Sequence, residues 1–212
     1  MTPKTSFNVV ADLASLSPLE RVLLASDGSL TAMLEAACLD RIRVRKLAED
    51  RLEAAGRIHL LSANAGDPLI KREVLLESER SRAIYVHAES IIAANRLPAP
   101  FIKNLLQSDE PLGRLWKKYD LNIYKEKIAL FRQSAGPLAR HFGVAQHTCL
   151  AVRTSRVFVG AKPAMLINES FSPVLAESLA ADAGHTGEVW PVGASRPVWS
   201  PGERSLSLVM AQ

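Results

Sequence analysis

Cysteine is scarce in this chain: two in 212 residues, Cys38 and Cys149, far apart. That spacing leaves no disulfide framework and no Cys-x-x-Cys pair for a metal. Both cysteines read as buried thiols in a reducing compartment. The five histidines (His59, His87, His141, His147 and His185) form no His-x-x-x-His or His-Glu-x-x-His pattern, so metal-ligand spacing is missing as well. Aromatic residues make up only 6%. None is interleaved with the densest basic stretch, Arg41-Ile-Arg-Val-Arg-Lys46, as a nucleic-acid platform would require. No apolar run approaches the roughly 20 residues that span a bilayer. The start, Met1-Thr-Pro-Lys-Thr-Ser, has no basic segment leading into an apolar one. The expectation is a cytoplasmic protein with neither a membrane nor a nucleic-acid partner.

Apolar residues make up 48%, and mean hydropathy is +0.05, the balance of a soluble globular chain. A net charge of +4 and a pI near 9.2 suit an anionic ligand. In Arg41–Lys46 the arginines fall on one strand face and Ile42 and Val44 on the other, which reads as a solvated outer face. Ser17-Pro-Leu-Glu20 is a capping box with proline at the first helical position. Asp27-Gly28 breaks that helix, and Ser29 caps a second one to about Ala37. Strands are expected at about 41–47, 69–77 and 83–92, the last two forming a hairpin across the polar turn Glu77–Arg82. Short helices follow from Pro98 and, with Asp109 as cap, toward Trp116. Residues 123–132 fit either strand or helix, with strand preferred, and 137–142 read as a short helix. A hairpin of 149–159 and 163–171 turns at Gly160-Ala-Lys162. The class is α+β with a mainly antiparallel sheet. One domain covers 1–173, and 174–212, rich in Ala, Gly, Ser and Pro, is an irregular extension.

Two strands carry charge where the core should be apolar. In Ala164-Met-Leu-Ile-Asn-Glu-Ser-Phe171, alternation puts Met165, Ile167, Glu169 and Phe171 on one face. In the strand at 70–76, Ile70, Arg72, Val74 and Leu76 share a face. Inward charges are rare in ordinary cores. One inward carboxylate and one inward guanidinium either pair with each other or flank a pocket for a small anion.

Four blocks in order resemble the chorismate pyruvate-lyases (chorismate lyases, 4-hydroxybenzoate synthases). The first is Asp27-Gly-Ser-Leu-Thr31 with Leu34-Glu35. The second is Lys71-Arg-Glu-Val-Leu-Leu76 with Ala88-Glu-Ser-Ile-Ile92 and Arg96-Leu-Pro98. Glu110-Pro-Leu-Gly-Arg114 is the third. The last is Arg153-Thr-Ser-Arg-Val157 closing on Lys162-Pro163 and Ile167-Asn-Glu-Ser-Phe171. The resemblance spans residues 15–173. It implies a six-stranded antiparallel sheet flanked by helices, with an enclosed ligand cavity beneath flap-like segments. It also implies catalysis by Arg72 and Glu169, with the ligand further held by main-chain groups near Leu30 and Leu112.

By the same resemblance the substrate is chorismate, a dianion, and the products are 4-hydroxybenzoate and pyruvate, with no metal or organic cofactor. Arg72 suits the ring carboxylate, because a guanidinium fork accepts two oxygens and stays charged when buried. Glu169 belongs at the far end of the ring, near the ether oxygen, as a proton donor, hydrogen-bond donor or orienting group. Arg153 and Arg156 are further candidates for the enolpyruvyl carboxylate, against the alternative of surface-facing strand charges; Lys125 and His87 rank below them. Two rivals stand beside this reading. One is a related lyase giving another hydroxybenzoate isomer. The other is a non-catalytic sensor of the same fold, as in bacterial regulators, which carry a helix-turn-helix domain ahead of it; only some 15 residues precede the matching region here.

Overall fold

A computed structural model of the chain describes residues 16–175 and, before them, the backbone pairing of Asn8–Val9. The extension expected at 174–212 lies outside the described residues, apart from Val174 and Leu175. Asn8–Val9 forms β1, followed by α1 (Pro18–Ala25), α2 (Leu30–Cys38) and β2 (Ile42–Glu53). Next come β3 (Pro68–Ser78), β4 (Ile84–Ala93), α3 (Ala99–Gln107) and α4 (Leu112–Lys118). The chain continues through β5 (Ile123–Ser134), α5 (Ala139–Phe142), β6 (Cys149–Val159) and β7 (Lys162–Phe171).

The sheet runs β1-β5-β6-β7-β4-β3-β2. Strands β2 to β7 pair antiparallel throughout, as the sequence implied, and β1 adds two residues parallel to β5 at one edge. Helices α1 to α4 cover one face. Beneath α1 and α2 a cluster of Leu23, Leu24, Leu34, Val74, Leu76, Val86 and Phe171 is buried. A second cluster, with Phe101, Leu105, Leu115, Trp116, Met165 and Ile167, lies beneath α3 and α4. On the opposite face α5 covers less, packing Phe142 and Ala139 with Leu150.

Local chemistry sets the helix ends. Ser17 Oγ accepts from the Glu20 amide at 3.2 Å while Glu20 Oε2 accepts from the Ser17 amide at 2.8 Å, both arms of the capping box. Ser29 caps α2 by accepting from Ala32 N at 3.4 Å. The cap expected of Asp109 is not formed: α4 starts two residues later behind Pro111, which presents no side-chain cap. Proline's fixed φ is sufficient to start the turn there. The thiols also differ from expectation, since Cys38 is half-buried and Cys149, opening β6, is exposed.

Among the described residues four register shifts interrupt the ladders. They fall between Lys46 and Ala48 in β2, between Lys127 and Ala129 in β5, at Tyr85 in β4 opposite Leu76 and Glu77, and at Ala164 in β7 opposite Val157 and Phe158. Each changes which alternate set of side chains faces the helices. In β2 the shift at Leu47 brings Glu49, rather than Ala48, opposite Arg72. A plain period of two therefore ends at Lys46, and β2 reads as a short strand in sequence although it runs to Glu53.

The starts of α2 and α4 meet at Gly113. A Cβ there would stand 2.3 Å from Ser29 Oγ and 3.1 Å from Ser29 Cβ. Inside an unobstructed helix Gly→Ala stabilises by roughly 1 kcal/mol. Here Gly113→Ala is expected to reverse that sign and destabilise by about 1–3 kcal/mol, through a lost Ser29 cap or separated helix starts. Urea denaturation of the variant checks this; a midpoint moving upward would show that the contact is slack.

Candidate active site

Between the two core clusters, on the helix-covered face, a pocket opens over the centre of the sheet. Its apolar walls come from Val44, Val74, Leu76, Ala88 and Ile167, and its roof from Leu30 at the start of α2 and Leu112, Gly113 and Trp116 of α4. Arg72, Lys125 and Glu169 are its charged lining. Its cavity volume is about 60 Å³. At roughly 10–15 Å³ per water by that measure, it admits a handful of waters, the size class of one substituted ring.

Arg72 is 2% exposed. Its Nε donates to Glu49 Oε2 at 2.9 Å, and its Nη2 is buried without a hydrogen-bond partner. Burial pulls the guanidinium below its ordinary value, against which Glu49 and then Asp109 push; an arginine nevertheless stays protonated. Glu49 is itself held from behind by Lys46 Nζ at 3.5 Å, whose ammonium also donates to the Leu106 carbonyl at 2.9 Å. One side of Arg72 is thus pinned and the other has a donor to spare.

Glu169, 5% exposed, does not pair with Arg72. Its partner is Arg153, directly across the β6–β7 ladder, with Arg153 Nε at 2.8 Å and Nη2 at 2.6 Å from Glu169 Oε2. Arg153 is buried outright. Its Nη1 donates to the Leu23 carbonyl at 2.6 Å and the Ser26 carbonyl at 3.1 Å, and its guanidinium carbon stands 5.6 Å from the Phe171 ring centroid. A surface-facing Arg153 is therefore ruled out. Strand alternation sends Arg156 to the opposite face, where its Nε donates to Glu126 Oε2 at 2.7 Å. Arg156 is not brought to the pocket.

Leu30 and Leu112, named only through resemblance, are brought together here as the first residues of α2 and α4. His87 is buried on the other face, with Nε2 2.8 Å from Glu73 Oε1. Arg43 and Arg45 remain partly exposed and fold onto the buried Glu77 together with Arg82, so the basic row serves the outer face. Two lining or supporting residues, Glu49 and Trp116, were not legible in advance, and a third, Lys125, was only a low-ranked candidate. Glu49 was hidden by the β2 bulge. Trp116 looked like one more apolar helix residue. Lys125 sat in a stretch whose own bulge blurred its period.

The comparisons agree with this architecture. The effector domain of PhnF from Mycobacterium smegmatis superposes with a TM-score of 0.54 at 14% identity, covering 69% of this chain and 90% of that one. The PhnF structure itself gives 0.55 at 14%, over 71% and 66%. Likeness at that identity shows the fold. In sequence, chorismate pyruvate-lyase of Mycobacterium tuberculosis (strain CDC 1551 / Oshkosh) is 28% identical over 162 residues, 71% of this chain and 78% of that protein. The chorismate pyruvate-lyase of Mycobacterium leprae (strain TN) is 26% identical over 152 residues, 71% and 72%. The family model described as Rv2949c-like chorismate pyruvate-lyase matches residues 24–179, a stretch that runs from α1 past β7 and contains every pocket residue named above. The chain belongs to the Rv2949c-like chorismate pyruvate-lyase family.

Proposed function

We propose that this protein is a chorismate pyruvate-lyase that releases pyruvate from chorismate and leaves 4-hydroxybenzoate, without a metal or organic cofactor. The observation that carries the reading is the pairing pattern of the pocket. Arg72 and Glu169 line one small apolar cavity, yet each takes its counter-charge from another residue behind it. Each therefore has a side left for a ligand.

In the reaction the ether bond between ring and enolpyruvyl group breaks, and the ring carbon bearing the hydroxyl loses its hydrogen as a proton. The ring becomes aromatic and that hydroxyl becomes the phenol. The ether oxygen departs with enolpyruvate, which takes a proton at its methylene carbon to become pyruvate. Aromatisation supplies the driving force, so the site's work is to orient the ether, exclude water and assist one proton transfer. The ring carboxylate goes to the free Nη2 of Arg72. With Arg153 on its Oε2, Glu169 has Oε1 for the ring hydroxyl, an acceptor placed to orient it and stabilise the phenol as it forms. Main-chain groups at Leu30 and Leu112 bound the ligand from above.

The PhnF likeness favours one other reading, a ligand-sensing domain that binds an aromatic acid without turnover. Incubating the protein with chorismate and separating the products by chromatography distinguishes the readings. Equal amounts of 4-hydroxybenzoate and pyruvate are expected, with the rate lowered about 100-fold or more in Glu169→Gln. Another hydroxybenzoate would move the activity to a sibling lyase, and saturable 4-hydroxybenzoate binding without turnover would favour the sensor. Arg72→Met is expected to weaken 4-hydroxybenzoate binding by about 100-fold, the range for removing one member of a buried charge pair; unchanged affinity in calorimetry would remove Arg72 from the ligand. Arg153→Met strands the buried Glu169 charge and is expected to cost about 3–5 kcal/mol in chemical denaturation. A loss below about 1 kcal/mol would show that the pair is dispensable to the fold.

A further inference from the structure

Among the described residues, ion pairing of the buried sheet cations on the helix-covered face leaves Lys125 over. Arg72 has Glu49, Arg153 has Glu169, and Lys127 is held by Asp27 and, at 2.8 Å, by the Ala25 carbonyl. Lys125, two positions before Lys127 on β5, is 6% exposed. Among the described residues no carboxylate lies within ion-pair distance of it. Its Nζ stands 5.9 Å from the centroid of the Trp116 ring. Trp116 is 7% exposed, and its Nε1–H is buried with no acceptor among the described residues. Both side chains line the pocket. An ammonium without a counter-charge and an indole N–H without an acceptor are each costly to bury, so packing alone gives little reason for either. An anion from outside would supply the counter-charge to one and the acceptor to the other.

Resting on the lyase reading, we propose that Lys125 Nζ, with the Trp116 Nε1–H of the same pocket, receives the second carboxylate of the substrate, the one on the enolpyruvyl ether. The strand order supports this arrangement. Arg72 stands on β3, Glu169 on β7 and Lys125 on β5, and β7 is the middle of the run β5-β6-β7-β4-β3. The ring carboxylate is held toward β3, the reacting bonds lie over β7, and the enolpyruvyl carboxylate reaches toward β5. This order gives the site a means of telling substrate from product. Chorismate satisfies both cationic ends, whereas 4-hydroxybenzoate leaves Lys125 unpaired again, which favours exchange of product for substrate.

Burial holds the Lys125 ammonium below the ordinary lysine range; Glu169 on β7 and Asp27 before α2 favour its charge, and Arg153 on β6 and Lys127 on β5 oppose it. From α4 it faces the neutral Trp116 ring. Dicarboxylate affinity is therefore expected to fall as pH rises through this lowered value, because the binding form is the protonated one. Affinity for a monocarboxylate has no such dependence on Lys125.

The test is calorimetric binding of two ligands to the parent, Lys125→Met and Lys125→Arg. The ligands are 4-hydroxybenzoate and 3-(carboxymethoxy)-4-hydroxybenzoate, a dicarboxylate that cannot eliminate. Lys125→Met is expected to lower dicarboxylate affinity about 100-fold, to change 4-hydroxybenzoate affinity by less than about threefold, and to melt at a higher temperature than the parent, since a buried unpaired charge is gone. Lys125→Arg should recover most of the dicarboxylate affinity. Equal weakening of both ligands, a lower melting temperature in the Met variant, or no dicarboxylate preference in the parent would overturn the proposal. Lost turnover with unchanged dicarboxylate affinity would overturn it too, placing Lys125 in the chemistry instead. Failure of the parent to cleave chorismate would sink the lyase reading alone, because the ratio of the two affinities reports on Lys125 regardless of turnover.

Discussion

Arg153 carries a full charge into the interior, and the organisation of the pocket depends on how that charge is met. Its guanidinium is satisfied on one side by Glu169, across the central ladder, and on the other by the Leu23 and Ser26 carbonyls at the end of α1. Desolvating two ions can cost more than their attraction returns unless the remaining donors are also used. Here Nη1 is used by backbone carbonyls of another element, while Nη2 has only its ion-pair contact with Glu169. The result is a polar clamp joining helix to sheet inside an otherwise apolar cluster. Because Asp27, Gly28 and Ser29 follow directly, clamping the end of α1 also sets where α2 begins, and with it where Leu30 meets the pocket.

The same device recurs at the other end. Glu49 holds Arg72, Lys46 holds Glu49, and the Leu106 carbonyl at the end of α3 receives Lys46. Arg72 and Glu169 are therefore each oriented by an ion-pair partner, which reduces the freedom that any binding in the pocket would otherwise have to remove. Gly113 completes the arrangement by letting the starts of α2 and α4 approach to a distance no other residue would permit. The fold is shared with the effector domain of PhnF, and a sheet with covering helices does not by itself specify chemistry.

Much of the fold was legible because it is written in short-range rules. The capping box at Ser17, the Ser29 cap, the strand alternation in β3, β4 and β7 and the turn at Gly160 each depend on neighbouring residues, and each formed at or near its expected place. The inward positions of Arg72 and Glu169 follow from the same alternation, since no bulge falls between either one and its apolar neighbours. Where a bulge does fall, alternation fails. Glu49 could not be assigned to the helix-covered face without knowing of the extra residue at Leu47, and the β5 bulge blurred the stretch that contains Lys125.

Sequence alone thus determined the class of the fold, the order of its elements, the family resemblance and the two anomalous inward charges. Tertiary structure decided how those charges are used. It paired Glu169 with Arg153 rather than with Arg72, turned Arg156 outward, and among the described residues left Lys125 without an ion pair and the Trp116 Nε1–H buried without an acceptor. The physical reason is range. Caps and pleats are set by residues a few positions apart, whereas an ion pair is chosen among groups that only strand register and helix docking bring together.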